Sequence, residues 1–455
     1  MVGAPLPYLS PFVSAPNGLP LDAGSLYRLN LRRVNPLFCN RCFPVFSSFL
    51  AADWPQWRGP DHSGHVGKGE KVPSTLPESP QVLWRVKTGE GLSSPVVSAG
   101  RVYLFEAQNG IETIRSLNAE TGAGIWQTPI DKTFSDSQGP SGPRSTPLVN
   151  GDYLYAQSCR GELQCLNITD GSLVWRLNYS TNFGAGFFGE NGNAAGSTRH
   201  GNTGSPLIHG SFLYALAGST NGAGVICLDK KTGALLWKSV NERAGYAPPI
   251  MAKIGGANQL VCFMAESVTG LDPQSGKILW RHPVKTSLAR HVTTPIVIDD
   301  MVIVGSHQFG EVGIKITPSG TGWTAEQAWL NKEAAMNYSS PVVVGDHFYG
   351  VGPHRDLICV EGRTGKIAWA KQDVFSSSPD KTHGAFLVFN DHILTLTDTG
   401  ELVLFESNKN EMRHVSRSQV CGLNWCNPAY ANGRLYVREG IKKTGELLCL
   451  QLVEK

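Results

Sequence analysis

Short apolar runs alternate with glycine-rich turns along most of the chain. Strings such as "SSPVVSAG", "STPLVNGD" and "GSPLIHGS" place an apolar run directly after Ser-Pro or Thr-Pro and end it in a tight turn. A second and a third apolar run follow, and then a fourth that ends in Trp. Short apolar runs bounded by turn residues predict an all-β protein made of short antiparallel strands.

One phrase returns along the chain and closes on Trp each time. It reads "LNAETGAGIW", "LNITDGSLVW", "LDKKTGALLW", "LDPQSGKILW" and "VEGRTGKIAW". We expect the Gly after Thr or its equivalent to adopt a positive φ. The phrases recur roughly every 40 to 60 residues, which is the length of one four-stranded propeller blade. A single four-stranded sheet cannot cover both of its faces, so the phrase predicts sheets that dock side by side.

The closing indoles are the predicted docking groups between blades. They include a decayed copy at position 329 and one residue ahead of the first complete unit. The set is Trp84, Trp126, Trp175, Trp237, Trp280, Trp329 and Trp369. A small residue, Cys in four units, precedes the phrase and is predicted to be buried: Cys165, Cys227, Cys359 and Cys449.

The number of blades follows from the predicted first strands. These begin near Ser94, Ser145, Gly204, Ala247, Thr294, Ser340, Gly384 and Asn427. The eighth unit ends after three strands, whereas "QVLWRV" at 81–86 precedes the first unit without a partner. We therefore predict an eight-bladed β-propeller in which this N-terminal strand completes the last blade, with Trp84 as its wedge. Closure of this kind removes open sheet edges. Seven blades is the alternative.

Composition and charge restrict the class of protein. The chain has 455 residues, of which 41% are hydrophobic and 17% charged, as in globular proteins. The net charge of +3 is too small to indicate a nucleic-acid partner. No run after residue 52 has the ~18 uninterrupted apolar residues of a membrane span.

The first 52 residues differ from the rest of the chain. Arg28, Arg32 and Arg33 precede an apolar run that ends in small residues, an order typical of a secretory signal. A disordered tail is the alternative. We expect residues 1–52 to be a leader, 53–80 a lead-in segment and 81–455 the propeller. The protein is then exported to the periplasm or cell envelope.

Other cysteines give weaker signals. Cys39 and Cys42 form a CxxC motif without a second pair, so zinc is not expected. Cys421 and Cys426 flank the string "CGLNWC". They form a disulfide if the protein is exported, or remain a pair of free thiols.

Candidate binding residues lie in the connections that precede the first strands. The longest connection, "NYSTNFGAGFFGENGNAAGSTRHGN", separates the second and third blades. Long loops on a rigid scaffold often carry binding sites. The string "GAGFFG" within it matches GxGxxG, but no helical pattern follows, so we interpret it as a loop. The candidate set for an anionic or peptide ligand is Arg144, Arg199, His200, His291, Asn337, His383 and Trp425. The alternative is that these side chains only satisfy backbone atoms around the channel.

The repeated phrase resembles the A-x-D-x-x-T-G-x-x-x-W hallmark of PQQ-type repeats, found in quinoprotein alcohol dehydrogenase-like propellers. The resemblance covers about residues 81–455, and "DWPQWRGPDHSG" at 53–64 resembles the start of exported bacterial PQQ-like repeat proteins. One branch of this superfamily binds PQQ and calcium. The other, BamB-like branch is non-catalytic and acts in outer-membrane β-barrel assembly.

The two branches imply different functions. The enzyme branch uses an adjacent Cys-Cys pair and acidic calcium ligands. This chain has no Cys-Cys dipeptide and no acidic cluster on one loop. The resemblance therefore implies a non-enzymatic exported scaffold that binds protein or peptide partners at its channel face. We expect no catalytic residue, no metal and no cofactor. The alternatives are a PQQ-dependent dehydrogenase and a binder of a small anionic ligand.

Overall fold

The computed structural model describes residues 53–376, 382–440 and 445–453. Within these ranges the chain folds into eight four-stranded antiparallel sheets. The all-β, eight-bladed prediction is confirmed, and the seven-bladed alternative is wrong. The predicted leader, with Cys39 and Cys42, lies outside the described residues. The lead-in segment belongs to the same compact unit as the propeller, Phe49–Lys455.

The first strand and the first four blades occupy the N-terminal part of the described chain. Their strands are β1 (Gln81–Thr88), β2 (Val96–Ser98), β3 (Arg101–Gln108), β4 (Ile111–Asn118), β5 (Gly124–Lys132), β6 (Leu148–Asn150), β7 (Tyr153–Gln157), β8 (Glu162–Asn167), β9 (Leu173–Asn178), β10 (Leu207–His209), β11 (Phe212–Ala215), β12 (Val225–Asp229), β13 (Leu235–Ser239), β14 (Ile250–Ile254), β15 (Ala257–Phe263), β16 (Ser267–Leu271) and β17 (Ile278–Pro283).

Blades five to eight follow the same order. Their strands are β18 (Ile296–Ile298), β19 (Met301–Ser306), β20 (Gly310–Ser319), β21 (Gly322–Asn331), β22 (Val342–Val344), β23 (His347–Val351), β24 (Leu357–Glu361), β25 (Ile367–Lys371), β26 (Gly384–Phe389), β27 (His392–Thr397), β28 (Glu401–Glu406), β29 (Arg413–Gln419), β30 (Ala429–Ala431), β31 (Arg434–Arg438) and β32 (Gly445–Gln451). Two short helices, α1 (Tyr179–Phe183) and α2 (Ser197–His200), lie between blades two and three. A 3-10 turn spans Lys332–Ala334.

The ring closes through the N-terminal strand. The eighth sheet has the order β1-β32-β31-β30, so β1 is its outermost strand. Trp84 lies opposite Cys449, in the register that the other closing indoles have with their own third strands. The strand that begins the propeller therefore completes its last blade, as the sequence predicted.

Most closing indoles bond to the neighbouring blade. Six indole N–H groups donate to a backbone carbonyl of the next blade around the ring. The pairs are Trp84–Ala119 at 3.1 Å, Trp126–Ile168 at 2.9 Å, Trp175–Lys230 at 3.0 Å, Trp237–Pro273 at 3.1 Å, Trp329–Gly362 at 3.0 Å and Trp369–Asn408 at 2.8 Å. Each blade thus holds its neighbour by a directed bond as well as by apolar contact.

Trp280 departs from this pattern. Its indole N–H donates to Gln259 of its own blade at 2.6 Å. In the next blade Thr321 and Gly322 lie at the tip of the long hairpin that β20 and β21 form, and not in a short turn like that of the other blades. Trp323 on that hairpin instead reaches back to Gly255 of the fourth blade, where an added Cβ would lie 2.6 Å from the ring. At this interface the indole therefore comes from the later blade and the glycine from the earlier one, which is the reverse of the other interfaces.

The glycines of the repeated phrase lie against these indoles. Gly276, for example, has a φ of +70°, and a Cβ there would lie 2.5 Å from Trp237 Cε3. Gly122, Gly171, Gly233 and Gly365 have the same conformation and the same kind of indole neighbour. The positive φ was expected. The indole contact adds a second reason for Gly, since any side chain would separate the blades.

A small residue lies opposite each closing indole within its own sheet. The residues are Ser116, Cys165, Cys227, Gly270, Gly313, Cys359 and Cys449. The four cysteines are buried free thiols, as predicted. Cys421 and Cys426 are also free thiols in the structure, which is the second of the two alternatives for that pair.

The lead-in segment substitutes for the indole missing from blade seven. Ser416 occupies the Trp register of β29, because it lies opposite Leu404 just before the bulge. The backbone N–H of Leu76 donates to Ser416 Oγ at 2.8 Å, and the Leu76 side chain is buried. The lead-in therefore covers the apolar surface that an indole covers elsewhere.

The lead-in also passes through the centre of the ring. Trp54 forms an antiparallel bridge with Val97 of β2, and the Trp57 indole N–H donates to Thr294 Oγ1 at 2.9 Å, beside β18. The Val66 N–H then donates to Val388 of β26 at 3.2 Å. Innermost strands line the central channel of a propeller. Residues 54–66 therefore fill this channel, with Trp54 buried against Gly59.

The Ser-Pro and Thr-Pro pairs connect the tops of the innermost strands. The backbone N–H of one blade donates to the hydroxyl of the equivalent residue in the next. The bonds are Ser94 to Thr146 at 3.3 Å, Thr146 to Ser205 at 2.9 Å, Thr294 to Ser340 at 2.9 Å and Asn427 to Ser94 at 3.1 Å. Proline has no N–H of its own, so the preceding residue supplies the bond.

The contact between glycine and indole can be separated from the cost of positive φ. We expect Gly276→Ala to lower the free energy of unfolding by about 1–3 kcal/mol more than Gly100→Ala, because the new methyl group overpacks Trp237. Gly100 is the matched control, since its φ is +71° and no atom lies within 4 Å of an added Cβ. Urea denaturation of both variants measures the difference. Equal losses would contradict the docking role of the indole.

Candidate functional site

The connections that precede the innermost strands meet around one cavity of ≈ 190 Å³. We call it the mouth cavity. It lies at the end of the ring where each fourth strand connects to the next blade. Its wall includes the following aromatic and charged or polar residues: Trp57, Arg144, His200, Tyr246, Arg290, Tyr338, His383 and Trp425. They come from the lead-in and from seven different positions on the connections, so the complete ring is needed to form the site.

The lead-in forms the floor of the mouth cavity. Trp57 lines the cavity while its indole N–H is held by Thr294 at 2.9 Å. Arg58, the next residue, is buried and donates to the Pro341 carbonyl. Since residues 54–66 occupy the channel below, the mouth cavity is a cup that opens at one end.

Aromatic rings form much of its wall. Tyr338 and Trp425 stack with ring centroids 5.7 Å apart and an interplanar angle of 26°. Tyr246 donates its hydroxyl to the Gly196 carbonyl at 2.8 Å, and its ring lies 5.9 Å from that of His200. The wall thus offers flat apolar surfaces to a bound group.

A buried ion pair holds the wall together on one side. Arg144 donates two hydrogen bonds to Asp136, at 2.8 and 2.6 Å, and His200 Nδ1 donates to the same carboxylate at 2.8 Å. Burial alone would raise the pKa of Asp136, but the bonds from His200 and Arg144 hold that pKa far below its usual range. The cluster joins the connection after blade one to the long insertion after blade two.

The remaining polar wall residues are less fully engaged. Burial lowers the pKa of His383 to about 4, so its imidazole is neutral at pH 7. Its Nδ1 and the Nε2 of His200 are buried and have no hydrogen-bond partner among the described residues. Arg290 is half-buried, and its guanidinium has neither an ion pair nor a hydrogen bond within the described part of the chain.

The long insertion packs beside the mouth. In α1, the Asn178 side chain accepts from the N–H groups of Ser180 and Thr181, and Gly184 ends the helix in a left-handed conformation. The "GAGFFG" string therefore begins at a helix C-terminus, which confirms that it is not a dinucleotide motif. Glu190 accepts from Ser137 across the gap to the neighbouring connection. Phe188 stays 62% exposed beside the mouth.

Four of the seven predicted site residues line the mouth cavity. They are Arg144, His200, His383 and Trp425. Arg199, His291 and Asn337 are not among the lining residues. His291 is buried, stacks on Phe263 at 4.2 Å and bonds to the Met264 carbonyl at 2.6 Å. The imidazole of His291 thus satisfies a backbone carbonyl, which is the alternative expected from the sequence for these residues.

The structure also adds wall residues that the sequence did not select. Arg290 and Tyr338 each neighbour a selected residue, His291 and Asn337. In extended chain successive side chains point to opposite sides, so an offset of one residue selects the wrong side. The sequence did not predict that Trp57 lines the cavity, because no pattern in the lead-in indicates a path through the channel.

Acidic and other metal-ligating side chains are few among the described residues at the mouth. Among the described residues, no group of three or more His, Cys, Asp or Glu side chains could hold a metal ion. Asp136 does not itself line the cavity, and its carboxylate is already shared by Arg144 and His200. A cavity of ≈ 190 Å³ is also below the roughly 300–1,000 Å³ usual for cofactor-sized ligands.

Comparison with known proteins identifies related chains. The family model described as outer membrane protein assembly factor BamB matches residues 67–221 and 112–371, which together exceed half of the chain. BamB of Yersinia pestis is 27% identical over 278 residues, covering 58% of this chain and 60% of that protein. BamB of Shewanella oneidensis is 24% identical over 301 residues, 64% of each.

A relative with a different name is also similar. The tetrathionate hydrolase of Acidithiobacillus ferrooxidans is 21% identical over 278 residues, 59% of this chain and 51% of that protein. The matches therefore span between about half and two thirds of the length of these relatives. No helix among the described residues combines the length and apolar character needed to cross a bilayer.

Solved structures share the fold. BamB from Moraxella catarrhalis superposes with a TM-score of 0.55 at 15% identity, covering 82% of this chain and 98% of that one. The C-terminal WD40 domain of Sif2 gives a TM-score of 0.52 at 10% identity, covering 83% and 99%. At these identities the likeness concerns the propeller fold alone.

The buried carboxylate of Asp136, which binds the wall residues Arg144 and His200, has a predictable effect on stability. We expect Asp136→Asn to lower the free energy of unfolding at pH 7 by about 3–5 kcal/mol, because it leaves Arg144 buried without a counter-charge. Because the folded state lowers the pKa of Asp136, its contribution is complete above the unfolded pKa of about 3.9 and is lost as the pH falls. The difference between the two proteins should therefore shrink in acid.

Urea denaturation at pH 7 and pH 3.5 measures this effect. Asp346→Asn is the control, since Asp346 bonds to His347 at 2.7 Å but is exposed, and exposed pairs contribute about 0–1 kcal/mol. A loss for Asp136→Asn no larger than that of the control would mean that the buried cluster does not hold the wall.

Proposed function

This chain belongs to the family of outer membrane protein assembly factor BamB, and on that premise we propose that it is a non-enzymatic scaffold of the cell envelope. Its task is to bind an extended segment of a protein partner at the mouth of the propeller. The observation that carries the proposal is the aromatic, one-ended mouth cavity, which is formed by the lead-in and the connections between the blades together.

The rim of the mouth supports a protein partner. Phe188 on the insertion and Leu423 on the connection that carries Trp425 are 62% and 50% exposed. Large apolar side chains exposed beside an aromatic cavity favour association with another protein. A partner segment that covers both would continue into the mouth cavity over the stacked pair of Tyr338 and Trp425.

The polar residues at the mouth support binding more than catalysis. Asp136 is saturated by Arg144 and His200, and the low pKa of His383 follows from burial without a carboxylate partner. A general base needs a carboxylate or imidazole that reaches its substrate with a suitable pKa. We accordingly propose that the protein has no enzymatic activity and binds no PQQ or calcium.

Export remains part of the proposal. The basic and apolar order of residues 28–52 resembles a secretory signal, and an assembly factor of the outer membrane acts outside the cytoplasm. The site of action that we propose is the periplasm or the inner face of the envelope.

The partner can be tested with a matched pair of surface variants. We expect the purified full-length protein to capture a component of outer-membrane protein assembly from envelope extract, identified by mass spectrometry. Leu423→Asp should weaken capture at least about tenfold, as expected when an apolar contact of an interface is lost. Leu173→Asp is the control, because Leu173 is 51% exposed but lies on an outer strand, away from the mouth.

Two results would contradict the scaffold proposal. One is that no assembly component is captured, or that Leu423→Asp weakens capture no more than Leu173→Asp does. The other is saturable binding of PQQ with calcium and reduction of a dye in the presence of an alcohol or sugar. The second result would favour a quinoprotein dehydrogenase.

A further inference from the structure

The charges around the mouth cavity do not balance. Arg144 and Asp136 neutralise one another through two hydrogen bonds. Arg290 lines the same cavity, and within the described residues no carboxylate pairs with its guanidinium. The wall therefore carries one uncompensated positive charge. A guanidinium at a cavity wall without a protein partner is free to donate charge-assisted hydrogen bonds to an anion that enters the cavity.

The size and shape of the cavity limit the kind of molecule whose anionic group can reach Arg290. Its volume of ≈ 190 Å³ accommodates a single side chain or ring and its charged group. The stacked rings of Tyr338 and Trp425, with Trp57 as the floor, offer surfaces for a flat or apolar group. A ligand charged at several positions would bury charges that nothing in the wall matches.

The closed floor limits how the ligand enters. Because residues 54–66 fill the channel, a chain cannot pass through the cavity and leave on the other side. A cup of this kind receives an end of a chain or a single side chain, and the fit of a chain end is the one that we test. A polypeptide end that is negatively charged is its C-terminus.

We propose that the mouth cavity binds a terminal carboxylate attached to an apolar or aromatic residue, with Arg290 as its charge partner and Tyr338 and Trp425 as the wall for its side chain. This inference adds a ligand class to the proposed function. It rests on that function where the molecule that bears the carboxylate is a polypeptide. A free aromatic acid shares the same chemistry and is the other source of such a group.

Binding of matched ligands tests the carboxylate. A fluorescent hexapeptide that ends in Phe with a free carboxylate is compared with the same peptide carrying a C-terminal amide, and with N-acetylphenylalanine. We expect the free acid to bind at least about tenfold more tightly than the amide, since a hydrogen bond between charged groups is lost. Tighter binding of the peptide than of the small acid would identify a polypeptide end as the natural group.

Comparison of acid and amide binding in two arginine variants tests whether Arg290 is the charge partner of the carboxylate. In Arg290→Gln the free acid should bind no more tightly than the amide, so the tenfold preference disappears. Arg243→Gln is the control, because Arg243 lies on a neighbouring connection and pairs with Glu266 at 3.6 Å. It should keep the preference. Unchanged circular dichroism and melting temperature show that both variants are folded.

The outcomes separate this inference from the proposed function. Equal binding of acid and amide, or an acid preference that survives in Arg290→Gln, overturns the inference even if a partner is captured from extract. A carboxylate preference that depends on Arg290, together with no capture of an assembly component, supports the inference and overturns the proposed function. Equally tight binding of N-acetylphenylalanine supports the site and assigns it to a free acid.

Discussion

A four-stranded β-sheet has two apolar faces, and each of them must be covered by another part of the chain. In this protein the cover is the next sheet, and the contact is made by an indole that lies on a glycine and donates to a carbonyl one blade away. The Trp237 indole with Pro273 and Gly276 is one example. A ring built this way has no natural end, so β1 must return to β32. The lead-in follows from the same constraint, because Leu76 covers the place on blade seven where the indole is absent.

The mouth cavity is a consequence of this closed ring. Eight connections converge at one end, and the hydroxyls of the Ser-Pro and Thr-Pro pairs join neighbouring connections in register. The lead-in fills the channel beneath and offers Trp57 as a floor. Rigid packing below and polar connections above leave a small aromatic cup with one unmatched guanidinium.

The repeat made most of the fold predictable. The phrase that ends in Trp, the Thr-Gly turn and the missing fourth strand of the last unit together predicted eight blades and the return of Trp84. The route of residues 54–66 was not predictable, because their contacts are made with strands that lie far away in sequence. Trp280 could not be distinguished either, since its departure depends on the long hairpin of the next blade. At the mouth six of the connections were selected, but the one that carries Tyr246 was not. On another connection His291 was chosen in place of Arg290, because backbone direction decides which neighbour faces the cavity.

The central claim is that the lead-in and the closing strand are parts of one cooperative ring. Amide hydrogen exchange of the full-length protein measures this most directly. We predict that the amides of Trp54, Val97 and the β1–β32 pair exchange as slowly as those of the innermost strands, through global unfolding. Fast exchange of Trp54 and β1, with the remaining blades still protected, would contradict it.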